Sequence, residues 1–434
     1  MNRQRTQAIR VRPSATDLLV VFALAVALRV VLFGIVALVD HVSFHQFVEY
    51  IDGRHFLDYA RGWLGAVDAL DEYEQRLFPG YPGLMALLNL VGVPLHAAAV
   101  LPNWFAAGGI AALSAALFAD RRVGYAMAVL TPSFLLNSVL ISAEPWCLLL
   151  GLTGLWLGRR SAVVSAGIAF GLAGLMRPMA CFILAGYVAM ALWRRQWTHG
   201  LLCAVIAALV VLAGMGLVAV KFGNPLLSVA GYSHERAYGD QAYGGRIITW
   251  PFESLIMTPH RQRREHMQEP DGRIKPVPTW KIVFVWAHVV PVVLGCGIAA
   301  VRWRRTSSMR MRLIALAAAV WLCTNTLFVL CIGSRWGFHS FDRFILLALP
   351  PLMFTFQRLL PERLWIWLVI GVLSLAAAAP HTSKHLLRKA KQAVTMRVDL
   401  PATPLPGAPS HRNIDSHRSD RDDDVLLRRG VRAA

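Results

Sequence analysis

The chain has 434 residues, of which 56% are hydrophobic and 16% are charged, and its mean hydropathy is +0.49. Apolar runs recur along most of it at the length of about 20 residues that an α-helix needs to cross a bilayer, and this composition excludes a large soluble core. The net charge of +19 lies in short clusters at the ends of these runs, where lipid headgroups attract it, so it does not predict nucleic-acid binding. The sequence therefore predicts an all-α polytopic membrane protein.

Apolar segments that could form membrane helices occur from residue 17 to residue 380, enough for ten to twelve spans. They cover residues 17–39, 83–101, 102–118, 124–142, 145–158, 161–176, 179–193, 199–220, 281–301, 312–332, 342–358 and 363–380. A basic segment, 1–16, precedes the first, which is too long for the apolar core of a cleaved signal, so we expect it to be retained. The six cysteines lie in or beside these segments without metal-ligand spacing and are expected to be packing residues.

Four arginine clusters at the ends of these segments predict the topology. Even numbers of segments separate them, so all four can lie on one side, which the positive-inside rule makes the cytoplasm. They are Arg121-Arg122, Arg159-Arg160, Arg194-Arg195 and the group Arg302, Arg304 and Arg305. Loops 40–82 and 221–280 then face outward. Two full crossings between Tyr81 and Arg121 would break this parity. Either 83–118 holds one crossing plus a re-entrant or surface piece, or one later short segment does not span.

The composition of the chain changes after the last apolar segment. Residues 381–434 lose hydrophobicity, gain a proline-rich stretch at 401–406 and end in mixed charges. Such a segment cannot bury enough apolar surface to offset the entropy of ordering. We therefore expect a membrane domain over 17–380 and a disordered tail over 381–434.

In loop 40–82, apolar residues at helical spacing predict an amphipathic helix at the outer membrane surface. Its apolar side would hold Phe56, Leu57, Ala60, Trp63, Leu64 and Val67, and its wet side Arg54, Asp58 and Arg61. Asp52 lies at the start of this helix, where it could cap the first turn or carry chemistry. Asp71 and Glu74 fit a capping box.

Three ionisable residues lie at predicted outer ends of apolar segments, where each needs a partner or a role. They are Glu144, Arg177 and Arg343. An outer pocket with these groups would suit a phosphorylated lipid, because guanidinium pairs well with phosphate oxygens and a carboxylate can take a proton from a hydroxyl. The alternative is that the three residues pair with one another for structural reasons only.

The outer loop 221–280 is rich in aromatic residues, among them Tyr232, Tyr243 and Trp250. Such rings could stack on sugar faces, although an interfacial aromatic belt has the same composition. The histidines of this loop lack metal-site spacing, and no HExxH, Walker A, GxSxG or dinucleotide motif occurs. The sequence thus predicts no metal site and no cofactor, and leaves dependence on a divalent metal open.

Short motifs follow one another between residues 50 and 350. In chain order they are Asp52-Gly53 with Phe56 and Ala60-Arg61-Gly62, Phe78-Pro79-Gly80-Tyr81-Pro82, Ser142-Ala143-Glu144, Met176-Arg177, Phe222-Gly223-Asn224-Pro225-Leu226, Trp250-Pro251-Phe252 and Asp342-Arg343-Phe344. Their order resembles the second mannosyltransferase of glycosylphosphatidylinositol-anchor assembly and its prokaryotic relatives. Two departures are Pro178-Met179, where that family often has Ser/Thr-Asn-Gly, and Asp342, which replaces its usual proline.

The resemblance implies a GT-C glycosyltransferase with a helical membrane bundle, which takes a sugar, mannose in that family, from a polyprenyl-phosphate donor outside the cytoplasmic membrane. It implies Asp52 as the base of an inverting transfer. Arg177 and Arg343 would steady the leaving phosphate, with Glu144, Tyr81 and Trp250 as further substrate-binding residues. The partners would be membrane lipids and the lipid-linked sugar.

Two other functions stay open from the sequence alone. A transporter or flippase for a lipid-linked or anionic solute would also place arginines and carboxylates among helices. Such a protein should hold its charges near mid-membrane and show an internal repeat, and no repeat stands out here. An oligosaccharide polymerase or ligase is the second alternative.

Overall fold

The structure, a computed structural model, describes residues 13–40, 43–45, 53–67, 69–130, 132–228, 248–253, 255–256, 279–306, 308–332 and 341–378. Asp52, most of loop 221–280 and the predicted disordered tail lie outside these ranges. The described residues form helices, turns and one isolated antiparallel bridge, between Ile248 and Ile332, with no β-strand among them. The prediction of an all-α protein is confirmed.

The helices follow one another with short connections. In chain order they are α1 (Ala15–Asp40), α2 (Gly53–Trp63), α3 (Glu72–Gln75), α4 (Gly80–Leu90), α5 (Leu95–Phe118), α6 (Arg121–Val129), α7 (Pro132–Val139), α8 (Glu144–Arg159), α9 (Val163–Met176), α10 (Ala180–Trp193), α11 (Trp197–Phe222), α12 (Thr279–Arg305), α13 (Met309–Leu330), α14 (Phe341–Ile345), α15 (Leu349–Thr355) and α16 (Leu364–Ala378).

Five of these helices are long and apolar enough to cross a membrane: α1, α5, α11, α12 and α13. The shorter apolar helices α9, α10 and α16 accompany them. Much of the outer surface is apolar, as on α11, where Leu209 and Leu212 are exposed. The chain is therefore a multi-pass membrane protein, while the predicted number of ten to twelve spans stays a prediction.

The predicted pair of spans over 83–101 and 102–118 is wrong. The structure has the short helix α4 followed by one long helix, α5. The break falls at Gly92, which adopts a φ of 94°, and at Pro94, which precedes α5, whereas Pro102 lies inside that helix. One candidate span, not two, thus lies between Tyr81 and Arg121, which is the first of the two ways of restoring parity.

The predicted single helix over 124–142 is also wrong, because it is divided into α6 and α7 at Pro132. In a continuous helix the carbonyl of Ala128 would accept a hydrogen bond from residue 132, but proline has no N–H. Arg29, fully buried in the middle of α1, supplies the missing donor through Nη1 at 2.8 Å. Its Nε also donates to Ser138 Oγ of α7, at 2.9 Å. Arg29 therefore joins the first helix to this break, a role that the sequence analysis missed.

Helices α9 and α11 pack closely through glycines spaced by four residues. A Cβ atom at Gly167 would lie 2.9 Å from the carbonyl oxygen of Cys203, and one at Gly171 would lie 2.8 Å from that of Ala207. Small residues at this spacing allow helix backbones to approach in membranes. The bundle continues through contacts of α8 with α9, α10 with α13, and α1 with α5.

The bundle has two chemically different ends. Helix α8 begins at Glu144 and ends at Arg159, roughly 22 Å away along a helix. The chain reverses at each end of α9 and α10, so Arg177 returns to the end that holds Glu144 and Arg194 to the end that holds Arg159. We call these the carboxylate end and the arginine end.

Candidate functional site

Three charged side chains meet at the carboxylate end, and they are the three that the sequence singles out. Glu144 Oε1 lies 2.9 Å from Nη2 of Arg177 and 2.6 Å from Nε of Arg343. The other carboxylate oxygen, Oε2, accepts a hydrogen bond from Ser142 Oγ at 2.5 Å. One carboxylate thus holds two guanidinium groups, and we refer to these three charged residues as the Glu144 cluster.

Local sequence places each member of the cluster. Glu144 lies in the first turn of α8, next to Pro145, where a negative charge is favoured by the helix dipole. Arg177 precedes Pro178, which disfavours helical backbone in the residue before it. Arg177 accordingly adopts extended φ and ψ angles of −154° and 132° and ends α9. Arg343 comes from the short helix α14.

The cluster is largely enclosed but not sealed. The side chains of Glu144, Arg177 and Arg343 are 8%, 14% and 23% exposed. Burial raises the pKa of the Glu144 carboxyl, but Arg177 and Arg343 outweigh burial and hold that pKa well below its usual range. The carboxylate is therefore ionised, and the cluster carries more positive than negative charge. Arg177 Nε has no hydrogen-bond partner among the described residues.

The motif at 78–82 lies beside this cluster. A Cβ atom at Gly80 would lie 2.7 Å from the carbonyl carbon of Leu175 and 2.9 Å from the backbone nitrogen of Met176. Only glycine therefore lets the start of α4 touch the end of α9 immediately before Arg177. Nothing in the sequence around Gly80 indicates which backbone it faces, so this contact could not be predicted from the sequence.

Tyr81, predicted to bind substrate, is fully buried. Its hydroxyl donates to the carbonyl of Ala99, and its ring meets that of Phe56 edge to face at 5.3 Å. Nearby, Asn103 Nδ2 donates to the carbonyls of Leu140 and Ser142, each at 3.0 Å. Tyr81 therefore has packing contacts within the bundle, and its contact with substrate stays a prediction.

Helix α2 confirms the predicted amphipathic helix over most of its length. Phe56, Leu57 and Ala60 are buried, whereas Arg54 is exposed. The helix ends at Trp63, so Leu64 and Val67 lie beyond it. The buried Tyr59 and the partly buried Trp63 continue this face, and their rings lie 5.5 and 5.2 Å from that of Phe222, the last residue of α11. A Cβ atom at Gly62 would lie 3.2 Å from the Phe222 ring, so two of the motifs that carry the resemblance lie next to each other.

The carboxylates of the first loop differ in their surroundings. Asp52, the predicted base, lies outside the described residues, one position before the start of α2. Asp58 pairs with Arg61 at 2.5 Å and with Arg54 at 3.5 Å. Asp71 and Glu74 form the predicted capping box, with each backbone N–H bonded to the other's carboxylate, at 2.9 and 2.8 Å. Asp58 and Asp71 are therefore already engaged.

His55 adds a third potential metal ligand beside the capping box. One ligand atom each from His55, Asp71 and Glu74 lies within 4.8 Å of the others, and His55 Nδ1 is 3.6 Å from Glu74 Oε1. The set has the chemistry to hold a divalent cation, but each carboxylate already accepts a hydrogen bond from a backbone N–H of the capping box. Only tertiary folding brings His55 to the other two residues, so this set was not predicted from the sequence.

Trp250 is placed differently from the other predicted site residues. Its segment is bonded to the end of α13, through Thr249 N to Cys331 O at 2.9 Å and Phe252 N to Leu330 O at 3.0 Å. The Trp250 side chain is 77% exposed. In the part of the chain that the structure describes, we find no hydrogen bond, ion pair or ring contact between Trp250 and the Glu144 cluster.

The all-helical fold and the five long apolar helices place this chain in the class of all-α multi-pass membrane proteins. No protein-family model matches the chain, and no curated protein matches it. The function is therefore inferred from the residues of the carboxylate end.

Proposed function

We propose that this protein is a GT-C-type glycosyltransferase of a prokaryotic cytoplasmic membrane. It moves mannose from a polyprenyl-phosphate donor to a lipid or glycan acceptor at the outer face, with inversion at the anomeric carbon. The observation that carries the proposal is the Glu144 cluster, a largely enclosed group in which two arginines share one carboxylate oxygen, so that its three side chains together carry a net positive charge. Such a group suits a phosphate diester at the end of an apolar chain.

In the proposed reaction, Asp52 takes the proton of the acceptor hydroxyl while that oxygen attacks the anomeric carbon. The bond from the anomeric carbon to the phosphate oxygen breaks on the opposite face, and the electron pair leaves with polyprenyl phosphate. Arg177 and Arg343 stabilise the negative charge that grows on the phosphate. Glu144 orients both guanidiniums through its shared oxygen.

The convergence of the motifs supports this proposal. The motifs at 78–82, 142–144 and 176–177 meet around Glu144 and Gly80, and Arg343 joins them from α14. A transporter would instead hold a charge near mid-membrane, and Arg29 is such a charge. Arg29, however, is fully buried and donates to Ser138 and Ala128, which gives it a structural role.

The test is a transfer assay with purified full-length protein, radiolabelled polyprenyl-phosphate mannose and a membrane lipid extract. We expect label to appear in a product that mild acid does not cleave from its new carrier. Arg177→Lys and Arg343→Lys keep the charge but lose the planar fork, and should each lower transfer at least tenfold. Arg304→Lys, an exposed change at the arginine end, is the matched control.

Three results would contradict the proposal. One is the absence of labelled product with any extract. A second is full activity of both lysine variants at Arg177 and Arg343. The third is movement of intact donor across sealed vesicles without chemical transfer, which would establish the flippase alternative.

A further inference from the structure

A cavity of about 710 Å³ lies at the arginine end, far from the Glu144 cluster. It is formed where α8 and α10 end and where α13 begins. Five arginines line it: Arg159, Arg160, Arg194, Arg195 and Arg310. Two of the clusters that the sequence assigns to the cytoplasm thus share one concave site, to which the first turn of α13 adds another positive charge.

The described acidic residues near this end pair with arginines outside the cavity. Asp17 pairs with Arg121, and both Asp120 and Glu362 pair with Arg122. Across the described ranges, no carboxylate lies within ion-pair distance of Arg160, Arg194, Arg195 or Arg310. Among the described residues, Arg160, Arg194, Arg195 and Arg310 therefore concentrate positive charge around the cavity without a paired carboxylate, which favours an anionic ligand.

The positive-inside rule would explain the positive charge alone, but some of the side chains around the cavity are also held in place by specific contacts. Arg159 Nη1 donates to the carbonyl of Leu117, at 3.0 Å, and Arg160 stacks on Trp156 at 3.7 Å. Trp193 forms part of the wall and meets Trp303 edge to face at 5.2 Å. Because these guanidiniums and rings are already held in place, fewer side chains have to be ordered when a ligand binds, and the entropic cost of binding is smaller.

The wall is apolar as well as charged. Trp193 and Met309 line the cavity and are 48% and 55% exposed, and the buried Leu313 also lines it. A free phosphate compound would leave these side chains in water, whereas a ligand with an apolar chain next to its phosphate would cover them. Basic cavities between membrane helices on the cytoplasmic side suit such headgroups.

We propose that this cavity binds the phosphate headgroup of an anionic phospholipid, whose acyl chains lie along Trp193 and Met309. The site is separate from the proposed transfer chemistry, and its test does not use that activity. The ligand chemistry is a phosphate ester held by several guanidiniums, with the rest of the lipid held by the apolar wall.

The test measures lipid binding to purified full-length protein in a neutral detergent. Phosphatidylglycerol is titrated at constant ionic strength, with phosphatidylcholine as the neutral lipid, and retained lipid is counted by native mass spectrometry. Arg194→Gln/Arg195→Gln should weaken binding of phosphatidylglycerol by about tenfold to thirtyfold, given the usual contribution of each arginine near a lipid surface. Arg304→Gln/Arg305→Gln removes the same charge at the same end, and because these two side chains do not line the cavity it should change binding less than about threefold.

A further variant and a competition experiment complete the test. Arg310→Gln, an exposed change at the start of α13, serves if the double variant does not fold, and should weaken binding about fivefold. Equal weakening by cavity and control variants would overturn the proposal in favour of non-specific attraction. Displacement of the lipid by glycerol phosphate at an equal concentration would overturn it in favour of a free phosphate ligand.

Discussion

Nε of Arg343 lies 2.6 Å from Oε1 of Glu144, although 199 positions separate the two residues in the chain. The contact joins α14 to the start of α8. Because Arg177 binds the same oxygen at 2.9 Å, removal of the carboxylate would leave two guanidiniums facing each other at a poorly hydrated place. Much of the behaviour of this end of the molecule should therefore depend on Glu144.

We expect Glu144→Gln to lower the free energy of unfolding by about 3–5 kcal/mol, the usual effect of removing one partner from a buried ion pair. Thermal unfolding of the purified protein in detergent measures the change. The matched control is Glu362→Gln, because Glu362 pairs with Arg122 at 3.3 Å and is 78% exposed. An exposed pair contributes about 0–1 kcal/mol. Equal effects of the two changes would contradict the importance of the cluster.

The effect of Glu144→Gln on stability should depend on pH. The pKa of Glu144 is lower in the folded protein than in the unfolded chain. Its contribution to stability is thus fully present above the unfolded pKa of about 4.3 and is lost as pH falls towards the folded value. The stability difference between wild type and Glu144→Gln should be constant from about pH 5 to 8 and shrink below about pH 4. A difference that instead grew on acidification would show that another group controls the cluster.

Asp52 and Asp58 allow a matched test of the proposed base within one loop. Asp52→Asn keeps a side-chain oxygen able to cap a helix but has no basicity, so we expect near-normal expression and transfer reduced by about two to four powers of ten. Asp58 is already paired with Arg61 at 2.5 Å, and Asp58→Asn should stay within about threefold of wild type. Transfer by Asp52→Asn at the wild-type rate would remove Asp52 from the chemistry.

Gly80 and Gly83 allow a similar test in α4. A Cβ atom at Gly80 would meet backbone atoms of Leu175 at 2.7 and 2.8 Å, next to Arg177. Gly80→Ala should therefore lower stability by about 1–3 kcal/mol and reduce transfer. At Gly83 the nearest atom, Trp63 Nε1, is 4.0 Å away. Gly83→Ala should be neutral or stabilise the helix by up to about 1 kcal/mol. Thermal unfolding of both variants distinguishes close packing from a general intolerance of α4.

The orientation of the bundle in the membrane can be measured by labelling single cysteines, introduced into a variant in which the six native cysteines are replaced. Ala66 is exposed just after α2, and Glu362 is exposed between α15 and α16, at the arginine end. By the positive-inside rule, Ala66→Cys should react with a membrane-impermeant maleimide in intact cells, and Glu362→Cys only after lysis. The reverse pattern would invert the topology and move the proposed transfer site to the cytoplasm.

Several features of this protein follow from local sequence. The length and polarity of apolar runs determined the all-α membrane class, since backbone polar groups in lipid must be satisfied within helices. Periodicity determined the buried face of α2, and Asp71 with Glu74 determined the cap of α3. The sequence also shows the charge of Arg29 within an apolar run. It does not show the partner of Arg29, the Ala128 carbonyl that Pro132 leaves without a donor.

The tertiary structure alone decided how distant residues combine. Which helix packs beside which fixes the shared carboxylate of Glu144, the contact of Gly80 with Leu175 and the meeting of the arginine pairs in one cavity. Local periodicity describes which face of a helix is apolar, but in a membrane almost every face is apolar and the pattern no longer distinguishes a neighbouring helix from lipid. Close contacts between small residues and a few polar groups then select the arrangement, and these depend on three-dimensional packing.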